Sequence, residues 1–210
     1  MMPIEKTLYA YSKNSLWFIP TNANLYHYSA NNPVKYTDPD GETITRFIDS
    51  RIASAIGYLY EHSQTFQNTY KFLASETNQQ GKTLFVYVTG DSANYAGNTQ
   101  SQDSPIIRPT EVQKYTNDRF ENDILQSGTE VQAVIINIDL ERVYSNNLNL
   151  LEVVAEEFVH GAEAARVGSN EWNERAKREN KMPYSERPEE IRAKNIVKTI
   201  LRELESDENN

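Results

Sequence analysis

Cysteine is absent from the 210 residues, which excludes disulfide staples and thiolate metal sites. Histidine is scarce: His27, His62 and His160 lie far apart, so no histidine-rich metal site can form from one stretch. Positive charge is in deficit, with 21 Lys and Arg against 30 Asp and Glu and a formal net charge of −9. Binding a nucleic-acid backbone takes clustered cations that displace counterions, so nucleic acid is not an expected partner. No uninterrupted apolar run approaches the ~18 residues that a membrane-spanning helix needs. The N-terminus lacks the basic, then apolar, then small-residue order of a secretory signal. A Gly-rich phosphate loop and a Ser-His-Asp or Cys-His arrangement are also missing. What is present is ordinary for a globular chain, with 38% hydrophobic and 24% charged residues. That is enough for one domain with its own core plus an appendage.

Residues 1–42 differ from the rest. They are rich in Tyr, Asn, Pro and Asp, and Asn32-Pro33 and Asp38-Pro39-Asp40-Gly41 are turn signals between short Tyr-rich strands. From residue 43 the pattern changes. Phe47, Ile48, Ile52, Ile56, Leu59 and Tyr60 recur at three- and four-residue spacing and predict an amphipathic helix. Ser63 is placed to cap a second helix through Phe66, Tyr70 and Leu73, ending by Gln79-Gln80-Gly81. Leu84–Val88 reads as a strand, residues 89–110 as a long loop, and Val131–Ile138 as the clearest strand in the chain. Helices are expected from Leu148 to about Val167 and from about Pro188 to Leu204, with a frayed tail at 206–210. The order helix, helix, strand, strand, helix, helix is α+β. Trp17 and Trp172 read as packing residues, His27 as a cross-strand residue, and His62 as a helix-end residue.

The stretch from Asn24 to Gly41, NLYHYSANNPVKYTDPDG, resembles the end of the YD-repeat (Rhs-type) core. That resemblance implies a β-shell that closes at a DPxG-type motif, with a variable effector domain beyond it. Residues 1–42 would then be the tail of the core, 43–205 the effector domain and 206–210 a frayed end. Cleavage after such motifs commonly precedes a Leu, whereas Glu42 stands here; Asp38 and Asp40 otherwise read as turn residues. The resemblance also implies covalent continuity with a YD-repeat shell. Delivery to the cell surface or outside would follow from an export signal upstream in the parent polypeptide.

The segment that carries chemistry is Glu156-Glu157-Phe158-Val159-His160. Residues four apart on a helix stand one above the other, so Glu156 and His160 can face a common ion with Glu157 to one side. The pattern resembles the HExxH of zincin-type zinc peptidases, with Glu in the first position. There the two end residues bind zinc, and the intervening Glu is the base. A carboxylate is a legitimate zinc ligand, though it shifts preference toward harder ions. The apolar stripe Leu150, Leu151, Val154, Phe158, Ala162 and Ala165 leaves Glu156 and His160 on its flank and Glu157 at its edge. Burial there raises proton affinity, which suits a general base. The alternative is a structural pair between Glu157 and Arg187 or Arg192.

A third ligand must come from elsewhere, and Arg187-Pro188-Glu189-Glu190-Ile191-Arg192-Ala193 is the candidate segment. It resembles the second helix of zincin-like toxin peptidases, in which the Glu before Ile is the ligand. That likeness implies Glu190 as third ligand with Glu189 exposed, Ser63–Leu73 as the scaffold helix, and Val131–Ile138 as the substrate-edge strand. The implied architecture is zincin-like: a small sheet, a long active-site helix and flanking helices. Tyr184 is placed to hydrogen-bond an oxyanion. The expected cofactor is a divalent metal, zinc first; the expected partners are a peptide or protein substrate and an immunity protein. Three functions follow: a metal-dependent peptidase-like effector, an inactive zincin-like scaffold for binding or adhesion, and a nuclease-type effector.

Overall fold

A computed structural model of the chain describes residues 49–207, apart from 76, 91, 92 and 118. The expected strand-turn segment at 1–42, with Trp17 and His27, lies outside the described residues, as do 208–210.

Helix α1, Ser50–His62, starts where the Asp49 carboxylate accepts the Arg51 amide, and it buries Ile52, Ile56, Leu59 and Tyr60. Ser63 caps α2, Gln64–Leu73, by accepting the Phe66 amide. Helix α2 stops short of Gln79-Gln80-Gly81: the Ser75 hydroxyl competes for the Phe72 carbonyl at 2.6 Å, and Gly81 turns the chain at φ +75°.

Strand β1, Thr83–Thr89, runs parallel to β5, Glu130–Ile138. The segment expected as a long loop instead holds β2, Gly97–Pro105, which pairs antiparallel with β5 on its other side. The sheet order is therefore β1-β5-β2. Val131–Ile138 is thus the central strand and not an edge strand. Both of its faces carry buried apolar residues, Val134, Ile136 and Ile138 on one and Val131 and Ala133 on the other. Between β2 and β5 a separate hairpin, β3 (Thr110–Thr116) and β4 (Arg119–Leu125), reverses near Asn117 at φ 49°.

Helices α3 (Leu140–Ser145), α4 (Leu150–Val167), α5 (Ser169–Glu179) and α6 (Pro188–Asp207) follow, with a 3-10 turn at Tyr184–Glu186. The fold class is mixed α+β, with α3, α5 and the hairpin added to the expected elements. Ser206 and Asp207, expected in a frayed tail, extend α6, where the Asp207 carboxylate meets His62 at the end of α1.

Helix α4 lies on one face of the sheet. Its stripe Leu150, Leu151, Val154, Phe158, Ala162 and Ala165 is buried as expected. Phe158 meets Phe66 and Tyr70 of α2 with ring centroids 5.2 and 5.9 Å apart. Gly161 permits the close approach to β5, since a Cβ there would stand 2.9 Å from Ile136 Cδ1. One fully buried polar residue, Gln132, is satisfied on the same face: it donates to Ser101 Oγ and the Ala164 carbonyl, and Asn78 donates to it. A smaller cluster of Ile106, Leu125, Val131 and Ala133 covers part of the opposite face.

Candidate metal centre

Three elements build the site: the middle of α4, the start of α6 and the first half of β2. On α4, Glu156 and His160 share a face one turn apart, as their spacing requires. Helix α6 begins at Pro188, a residue preorganised for a first helical turn, and presents Glu190 across from them. Ligand atoms of Glu156, His160 and Glu190 all lie within 4.8 Å of one another. His160 Nε2 stands 3.5 Å from Glu190 Oε2, and that buried oxygen has no hydrogen bond. Two carboxylates and an imidazole gathered around an unsatisfied buried oxygen fit a divalent cation.

Burial raises the Glu156 carboxyl above its ordinary range, and the nearby Glu190 charge adds to the rise against His160 and Lys194. For His160, burial disfavours the charged ring, but Glu190, Glu157 and Glu156 together outweigh it and hold its pKa above the usual value. Glu190 is pushed up by burial and pulled further down by His160, Tyr184 and Lys194, so it ends below its usual value. A metal ligand must be unprotonated, so a cation there would compete with protons for His160.

Glu157 points toward β2, beside His160. It is almost wholly buried, and burial pushes its carboxyl up to about 7. Neither expected arginine reaches it: Arg192 is bound to Glu189, and Arg187 lies over the Tyr184 ring at 5.5 Å. Its partner is Thr99 of β2, whose hydroxyl donates to Glu157 Oε2 at 2.7 Å and lies 3.1 Å from the Glu157 carbonyl. Gly97 completes the contact, because any Cβ there would collide with the carboxylate. Thr99 and Gly97 sit in the segment expected as a loop, so nothing in its composition marked them.

Glu189 is buried, not exposed. Helix α6 turns it toward α5, where it accepts Arg175 at 2.9 Å and also binds Arg192. Arg175 reaches Glu163 of α4 at 3.1 Å and Glu171 at 2.9 Å, while Glu179 accepts the Glu189 amide at 3.3 Å. This network fixes the start of α6 one residue before Glu190 and joins α4 three residues after His160. Trp172, expected as a packing residue, is buried with its ring centroid 6.1 Å from that of His160.

Tyr184 stands half-exposed at the rim, its hydroxyl 3.4 Å from Glu156 Oε1. Burial of the hydroxyl and the surrounding carboxylates raise its pKa, so it remains a protonated donor. His62 lies away from this cluster, at the end of α1.

The arrangement offers an ion cradle, a neighbouring proton acceptor and a donor at the mouth. No protein-family model, curated protein or solved structure matches the chain.

Proposed function

We propose that this domain is a metal-dependent, peptidase-like effector with a zincin-like architecture, carried at the end of a YD-repeat protein. The observation that carries the reading is the convergence of Glu156, His160 and Glu190 beside the separately buried carboxyl of Glu157. A divalent cation held by those three groups, zinc first, would supply Lewis-acid polarisation of a carbonyl and lower the pKa of a water. Glu157 takes the proton from the attacking water and returns it to the departing amine nitrogen as the C–N bond breaks. Thr99 keeps the carboxylate aimed from behind. Tyr184 donates to the carbonyl oxygen as negative charge gathers there.

The deciding measurement is elemental analysis of the purified chain, after reconstitution, beside His160→Ala. The expected result is one equivalent of divalent metal in the parent and its loss in the variant. Absence of metal from both would reject the site. Metal without hydrolysis of any peptide or protein would favour the binding-scaffold reading. An effector role further predicts toxicity on expression inside a susceptible cell, relieved by an immunity protein.

A further inference from the structure

Helix α6 is acidic at both ends and basic between them. Residues 191–202 hold Arg192, Lys194, Lys198 and Arg202 and no carboxylate, in a chain whose 30 acidic residues outnumber its 21 basic ones. Arg192 is tied to Glu189. The other three recur every fourth residue, which stacks them on one face, and all are exposed. Among the described residues none of the three forms a salt bridge, whereas Arg175, Lys177 and Arg178 of α5 are all paired. Glu203, the acid beside Arg202, is committed to Thr65 at the start of α2.

This ridge begins at the metal cluster. Lys194 Nζ stands 4.5 Å from the centroid of the Tyr184 ring, and its charge is felt by both Glu156 and Glu190. Arg187, over the same ring, adds a fourth cation at the rim. From Lys194 to Arg202 the helix rises about 12 Å, the span of roughly four residues of extended chain.

We propose that the ridge docks an acidic stretch of polypeptide substrate, holding carboxylates a few residues from the bond presented to the metal cluster. The cleavage part rests on the peptidase reading; the docking does not require hydrolysis. A nucleic acid suits the ridge less well, because its phosphates would run onto Glu156, Glu157 and Glu190, whereas a peptide can lay a neutral amide there.

The test is fluorescence anisotropy of a labelled Glu-containing peptide against the same peptide with Gln at each Glu, using the full chain as Glu157→Gln so that neither is cut. The Glu peptide should bind about tenfold tighter at low salt, with the advantage fading as salt screens it. Lys198→Glu with Arg202→Glu should abolish the preference, and Lys198→Gln with Arg202→Gln should weaken it at unchanged melting temperature. Equal binding of the two peptides would overturn the proposal. So would a single-stranded oligonucleotide that binds as tightly as the Glu peptide and is lost in the same variants. The unmodified chain separates the two readings. Equal kcat/KM on both peptides removes the ridge and keeps the peptidase, while Glu-selective binding without hydrolysis keeps the ridge and removes the peptidase.

Discussion

The middle of α4 and the start of α6 each carry two adjacent glutamates, and each pair sends one carboxylate to the candidate metal site and the other into the protein. The inward members are equally hidden, Glu157 at 8% exposure and Glu189 at 7%. Their partners differ. Glu189 meets two guanidinium groups, Arg175 and Arg192. Glu157 meets one hydroxyl, Thr99. Cations offset the desolvation of a buried carboxylate, and a hydroxyl offsets only part of it. Depth alone therefore does not separate a fastening from a carboxyl of raised proton affinity; the partner does.

Replacing the weakly held member should have the largest effect. Glu157→Gln is expected to lower peptide hydrolysis by roughly 10²–10⁴-fold, the usual contribution of a general base, while metal content and melting temperature hold. A matching loss of metal would mean that Glu157 is a ligand. Next comes the fastening. Arg175→Ala leaves Glu189 with Arg192 alone and takes a shared cation from Glu163 and Glu171, and should cost about 2 kcal/mol in urea unfolding. Adding Glu189→Gln should recover part of that loss, and strict additivity would show that the two do not act together.

The smallest effect concerns a third carboxylate, Glu203, which is only partly covered. Burial raises its pKa, but the hydroxyls of Ser63 and Thr65 and the Thr65 amide outweigh this and hold it below the ordinary 4.5. A lowered folded value means that its stabilisation is complete above the unfolded pKa and is lost as pH falls through the folded one. Glu203→Gln should therefore flatten the acid limb of the stability profile and change little once the pH lies below the folded pKa. An unchanged limb would show that the Ser63 and Thr65 contacts add nothing.

Elements that bury an apolar face were legible in the sequence. Ile52, Ile56 and Leu59 marked α1, Leu150 to Ala165 marked α4, and Ser63 and Pro188 marked helix starts. The Glu156–His160 juxtaposition followed from helical spacing alone, and Glu190 from the likeness of its segment. Strand β2 was not legible, because Gly97–Pro105 contains no Val, Ile, Leu or aromatic residue. Backbone pairing with β5 holds it, and its small residues tuck against α4 and α5. With β2 went Thr99. The burial of Glu189 was hidden for a related reason. Its partner Arg175 lies on α5, whose buried residues are only Ser169 and Trp172, so no apolar period announced that helix.

The position of the hairpin between β2 and β5 bears on the order in which the sheet assembles. Thr116 and Arg119 pair across a short turn, and Ile106 is already bonded to Thr129 and Gly128 where the hairpin meets the larger sheet. Once β3 and β4 zip, Pro105 and Glu130 arrive as neighbours with little further chain to close. The parallel register of β1 has no such help, because Thr83 and Val131 are about fifty positions apart and that whole loop must close. Amides of β2 should therefore gain protection before those of β1 when refolding is followed by pulsed hydrogen exchange. The reverse order would mean that the helical layer gathers the sheet.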